Sequence, residues 1–152
     1  MKKIFFCFLC LSLGYSKAQS YTSINDLLDR VEREEKINNN TELYSIAGKK
    51  FVLIKDTPDK TQRYIVELKE DTSTLIEIED DKNTGESVSK IYSGDVLRKR
   101  DIVSVRADKL EGKKIGMPVV YTFVLNFRKN IWYLTDANTG ERWIETHYLE
   151  KK

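Results

Sequence analysis

Hydrophobic and polar positions alternate with a period of two over most of the chain: Tyr64, Val66 and Leu68 stand against Arg63, Glu67 and Lys69, and Ile76 and Ile78 against Glu77 and Glu79. Such alternation marks a half-buried β-strand, because successive side chains of a strand point to opposite faces. Strands are predicted over 43–47, 50–55, 62–69, 74–80, 86–92, 101–108, 118–127, 130–135 and 141–149. Their separators are short and rich in Asp, Asn, Gly and Lys. Pro58 falls in a loop and Pro118 at a strand start, where a missing amide is tolerated. Connections too short to hold a crossover helix force neighbouring strands to run antiparallel.

Ahead of the strands the period is helical. Ile24, Leu27, Leu28 and Val31 fall at i, i+3, i+4 and i+7, while Asp29, Arg30, Glu32, Arg33, Glu35 and Lys36 occupy the other face. Ser23 offers an N-terminal cap with Asp26 returning the bond, and Asn38-Asn39-Asn40 stops the helix near Ile37. The fold class is therefore mainly β (α+β). One N-terminal amphipathic helix precedes an antiparallel meander of about eight strands, either barrel-like or a strongly curved sheet folded around the helix. The helix docks on the sheet or on a barrel mouth.

An internal echo supports the hairpins. Asp81-Lys82-Asn83-Thr84-Gly85-Glu86 and Asp136-Ala137-Asn138-Thr139-Gly140-Glu141 share the pattern Asp-x-Asn-Thr-Gly-Glu between strand-like runs. Each reads as a type I turn closed by a glycine of positive φ. A calcium loop would use the same alternating oxygens, but its pattern needs a later bidentate glutamate and flanking helices, and strands flank these segments.

The first eighteen residues have another use. Lys2 and Lys3 precede an apolar run of ten residues, Ile4 to Leu13, and Ser16-Lys17-Ala18 supplies small residues for a signal peptidase. A membrane-spanning helix needs roughly 20 apolar residues, so residues 1–18 read as a cleaved signal peptide and 19–152 as a single β-rich globular domain. Cys7 and Cys10 both lie in this segment, leaving the mature chain without a disulfide or a thiolate metal site. Cys10 is a poor lipid-attachment residue, since the bulky Phe8 and Leu9 precede it.

Cleavage also changes the charge: the formal +2 of the full chain includes Lys2, Lys3 and Lys17, no acid precedes Asp26, and the mature domain carries −1. Interspersed charges of both signs give no basic face for phosphate-backbone binding, so no nucleic-acid partner is expected. The local cluster around Leu97-Arg98-Lys99-Arg100 is interrupted by Asp95 and Asp101 and reads as a solvated face. Once the signal is removed, no stable membrane insertion is expected.

Only His147 titrates near neutrality at its unperturbed pKa. No Gly-x-Ser-x-Gly elbow, Gly-rich phosphate loop or His-Glu-x-x-His motif accompanies it. Ser93-Gly94 lies in a turn-like stretch. On strand 141–149, Trp143, Glu145, His147 and Leu149 share a face, which places a stacking platform beside an acid and an imidazole. Tyr121, Phe123 and Phe127 share a face of 118–127, and Trp132 follows. These aromatics read chiefly as core, although a barrel of eight or nine strands can keep a cavity for one small apolar ligand. The candidate ligand-binding residues are thus Tyr121, Phe123, Trp132, Trp143, Glu145 and His147, with no catalytic set, metal or cofactor expected. The sequence favours a small exported, non-catalytic binding or interaction domain of the periplasm or extracellular space, with a small apolar ligand or a protein as partner. Two alternatives are a hydrolase using Glu145 and His147, and a cell-envelope structural or inhibitory protein that pairs through a strand edge.

Overall fold

The computed structural model describes residues 21–34 and 44–149. The signal segment 1–18, the expected helix end at Ile37 and the first residue of the expected strand 43–47 lie outside the described residues. Helix α1 (Tyr21–Glu34) is followed by β1 (Lys50–Asp56), β2 (Lys60–Leu68), β3 (Thr72–Asp81), β4 (Ser87–Lys99), β5 (Ile102–Leu110), β6 (Lys113–Arg128), β7 (Ile131–Asp136) and β8 (Arg142–Glu145), and a 3-10 turn covers Thr146–Tyr148. Each strand pairs antiparallel with the next, and β8 returns to β1, so the meander closes into an eight-stranded barrel.

Closure settles the choice between barrel and open sheet. Inward-pointing Phe51, Leu53, Val66, Leu68, Leu75, Val103, Val105, Phe123, Leu125, Leu134 and Trp143 form one continuous interior cluster. An eight-stranded barrel has an interior just wide enough for side chains to fill, and these residues fill it. The helix lies outside. Ile24 and Leu28 pack with Val52, Ile54, Tyr133 and Ile144 in a second cluster on the outer face of β1, β7 and β8. The helix begins at Tyr21, ahead of the start expected at Ser23; burial of Ile24 to 2% exposure ties down its first turn by packing.

The seam between β1 and β8 is short, with only Phe51↔Glu145 and Val52↔Ile144 in register. The helix lies across it. Arg142 of β8 donates Nε to Asn25 Oδ1 at 2.9 Å and pairs with Asp29 at 2.6 Å, while the Tyr133 hydroxyl donates to Glu32 Oε1 at 2.7 Å. Residues 25, 29 and 32 are one helical face, and they join α1 to both β7 and β8.

Several expected boundaries move for local reasons. Residues 44–47 form a turn-like approach to β1, not a strand. Ser93-Gly94 is no turn: β4 runs through it, with a register shift against β5 between Ser93 and Gly94. There a Cβ on residue 94 would lie 1.9 Å from the Arg106 carbonyl oxygen, so only glycine lets the strands approach. Pro118 is interior to β6, not at its start, where the pairing with β5 jumps from Ala107↔Val119 to Lys109↔Lys114 and needs no proline amide. The last strand stops at Glu145 instead of reaching 149. Tyr148 and Leu149, consecutive in sequence, both pack against the helix-side cluster, which alternating strand faces would not allow. On β3 the buried face is opposite to the simplest reading of its alternation. Leu75 points inward, whereas Ile76 pairs with Ile65 on the outer face, so Glu77 and Glu79 face the barrel interior.

The twin turns are superposable in their bonding. Asp81 Oδ1 accepts from the Asn83 and Thr84 amides at 2.7 and 3.0 Å, and Asp136 Oδ1 from the Asn138 and Thr139 amides at 2.7 and 3.1 Å. Gly85 and Gly140 follow at φ +74° and +73°. Those oxygens serve their own turns; the Thr84 and Asn83 amides hold the Asp81 carboxyl below the usual carboxylate range.

Leu28 is fully buried between helix and seam. Leu28→Ala is expected to lower unfolding free energy by about 2–5 kcal/mol, measured by urea denaturation; a change under about 0.5 kcal/mol would show that the helix contributes nothing to the barrel.

Candidate functional site

The two ends of the barrel differ. At one end, the segment 44–49 folds under the opening. Ile46 enters the interior cluster, and the Tyr44 ring lies 5.3 Å from Trp132 and 5.6 Å from Phe127. The Arg98 guanidinium donates to the Tyr44 carbonyl. Lys49 Nζ sits 5.1 Å from the Trp132 ring centroid and bonds Glu145 Oε1 at 2.7 Å. This end is stoppered.

The opposite end is open and polar. Strands β2, β3 and β4 extend past the interior cluster, and their inward positions change from aliphatic to charged: Leu68 and Val66 give way to Tyr64 and Gln62, Leu75 to Glu77 and Glu79, and Tyr92 to Lys90 and Val88. Between them lies a cleft of about 200 Å³ lined by Gln62, Tyr64, Glu77, Ile78, Glu79, Val88 and Lys90. Behind its Tyr64 wall lies a packed aromatic group of the barrel interior. Trp143 meets Tyr121 and Phe123 edge to face at 5.5 and 5.3 Å, the Tyr121 and Phe123 rings stack at 5.5 Å, and Tyr64 lies 6.1 Å from Trp143.

Most charges at this mouth are spoken for. Glu79 accepts from Lys60 at 3.0 Å and Gln62 at 2.7 Å, which hold its carboxyl below the usual range, the Lys60 bond contributing most. Lys55 pairs with Glu141 and stands 5.5 Å from the Tyr64 ring centroid. Glu77 and Lys90 are direct cross-strand partners, yet no salt bridge joins them. Burial pushes the Tyr121 hydroxyl up to about 12, with the nearby Glu77 carboxylate adding to the rise. Directly below, Trp143 Nε1 is buried with no hydrogen-bond partner.

Of the six residues expected to bind a ligand, Tyr121, Phe123 and Trp143 come together in the packed interior beneath this mouth, where Phe123 and Trp143 are fully buried and none of the three lines the cleft. Trp132 and Glu145 lie at the stoppered end, and His147 is exposed on the 3-10 turn, its ring 5.8 Å from Tyr148. The shared strand face of Glu145 and His147 does not exist, because β8 ends between them. Nor do the aromatics surround a cavity, since they fill the barrel. Residues Gln62, Tyr64, Glu77 and Lys90 were not expected; their signal was the charged continuation of the inward stripes, concealed by isoleucines on the outer face of β3. Among the described residues, no group of three or more His, Cys, Asp or Glu side chains is placed to hold a metal ion.

No family model, curated protein or solved structure matches the chain. The chemistry of the mouth therefore rests on geometry alone. Opposed charges with no salt bridge between them, an amide and the Tyr64 phenol beside Ile78 and Val88 can orient a small polar molecule by hydrogen bonds. The one imidazole lies elsewhere.

Glu145→Ala is expected to cost about 1–3 kcal/mol by freeing a half-buried ammonium at the stopper, whereas His147→Ala stays within about 0.5 kcal/mol; equal effects in thermal and urea unfolding would contradict the separate placement of the two residues. Alkaline titration gives a second check. Because Tyr121 holds its proton to about 12 in the folded chain against an ordinary value near 10, its contribution to stability is complete below pH 10 and is lost as pH rises toward 12. Ultraviolet phenolate titration of wild type and Tyr121→Phe should differ by a late-ionising group; superimposable curves above pH 11 would refute it.

Proposed function

We propose that the chain is an exported, non-catalytic binding domain that receives a small ligand at the open, polar mouth of its barrel. The carrying observation is the asymmetry of the two ends: one is closed by the 44–49 segment, the other presents a cleft of about 200 Å³ in which Glu77 and Lys90 stand opposed, with no salt bridge between them, beside Tyr64, Ile78 and Val88. Export is supported by Lys2 and Lys3, the apolar Ile4 to Leu13 run and the small residues before Gln19. Among the described residues no helix is long and apolar enough to cross a membrane.

The size and chemistry of the cleft narrow the ligand. Drug-sized sites occupy roughly 300–1,000 Å³ and are mainly apolar; this one is smaller, and half its walls are charged or amide side chains. A small polar molecule with an apolar portion suits it better than the wholly apolar ligand suggested by the aromatic stripe. The hydrolase alternative loses its geometric basis with the separation of Glu145 from His147, and barrel closure confines the strand edge open to a pairing protein to stretches such as β6 ahead of Thr122, which β7 does not cover.

Chemical-shift mapping of ¹⁵N-labelled protein against a library of small polar fragments tests the reading. Shifts are expected to cluster on residues 62–64, 77–79, 88–90 and 121. Clustering elsewhere, or none, would overturn it. So would turnover of generic ester, glycoside or peptide substrates that His147→Ala lowers by about 100- to 10,000-fold.

A further inference from the structure

The mouth holds two opposite charges that do not neutralise one another. Glu77 on β3 and Lys90 on β4 are directly paired residues on the inner face of a hairpin, the arrangement in which opposite charges ordinarily meet. The inward charges beside them are bonded: Lys60 and Gln62 hold Glu79, which the Lys90 charge also attracts, and Lys55 is held by Glu141. Lys55 also covers part of the Tyr64 ring, so among the residues lining the cleft Glu77 and Lys90 are the acid and the base with no direct hydrogen bond or salt bridge.

We propose that this cleft recognises a compact zwitterion of the amino-acid type, its ammonium on Glu77, its carboxylate on Lys90, and its side chain against Tyr64, Ile78 and Val88. The inference rests on the binding-domain reading and names its ligand class. A zwitterion satisfies the two charges at once, while a neutral sugar satisfies neither and a simple anion or cation leaves one opposed. The ligand's ammonium and carboxylate, both carried on its α-carbon, match charges on directly opposed residues of the hairpin. Tyr64, Ile78 and Val88 supply the apolar contact, which favours aromatic or large aliphatic side chains over small ones.

Titration of the full mature chain by calorimetry and NMR decides the matter, with five probes: L-phenylalanine, N-acetyl-L-phenylalanine, L-phenylalaninamide, acetate and methyl glucoside. L-Phenylalanine is expected to bind with shifts at residues 77 and 90, and removing either ligand charge should weaken binding about three- to tenfold, the modest end for charge-assisted bonds because the mouth is open to solvent. The variants must match the probes. Glu77→Gln should weaken L-phenylalanine but leave the N-acetyl compound unchanged, and Lys90→Met should weaken L-phenylalanine but leave the amide unchanged. Circular dichroism melting confirms that both variants fold, as expected for side chains at a solvent-facing mouth. If methyl glucoside binds at the cleft equally in wild type and both variants, the zwitterion inference fails while the binding-domain reading stands. If L-phenylalanine binds indifferently to the variants, the inference also fails. If no probe shifts the cleft and the fragment library is silent too, both fall together.

Discussion

Everything in this molecule depends on closing the sheet at the β1–β8 seam, where only two residue pairs are in register. A ladder that short is weak by itself, and the barrel interior would lose its enclosure if it parted. The helix compensates from outside. Leu28 and Ile24 press on Val52 and Ile144, the two outward residues nearest the seam, and Arg142 ties β8 to Asn25 and Asp29. The two apolar clusters are thus halves of one device: the inner one shapes the barrel and the outer one keeps it shut.

Filling the interior decides where binding can occur. Aromatic and aliphatic side chains occupy the middle, and the Lys49–Glu145 pair over Trp132 blocks one end. What remains is the end where β3 and β4 overshoot the core. Inward positions there have no partner strand wall to pack against, so they carry charge without the desolvation penalty that a buried charge would bring. The polar mouth and the dry packing below it follow from the same strand lengths.

Much of this was legible from the residues. Period-two alternation found the β architecture, and the Asp-x-Asn-Thr-Gly-Glu repeat located two turns that proved alike down to their hydrogen bonds. Alternation failed where tertiary demands override it. Gly94 looks like turn punctuation, but its meaning lies in the carbonyl of Arg106 on the adjacent strand β5. Thr146-His147-Tyr148 has strand composition, yet the helix surface pulls Tyr148 and Leu149 to one side. The mouth was hidden because Ile76 and Ile78 out-shouted Glu77 and Glu79; deciding which face is inside needs closure, and closure is not written in any single strand.

The seam also sets an order of assembly. Seven of the eight strand interfaces join neighbours in sequence, whereas the eighth brings together groups such as Lys49 and Glu145, 96 residues apart. Local hairpins form quickly, and a distant closure must overcome the entropy of the whole intervening loop before its contacts reward it. A nearly complete sheet with two bare edges therefore precedes the barrel. In crowded solution the β1 of one such chain meets the β8 of another as readily as its own, and exchange of end strands between copies is the natural misassembly of this fold.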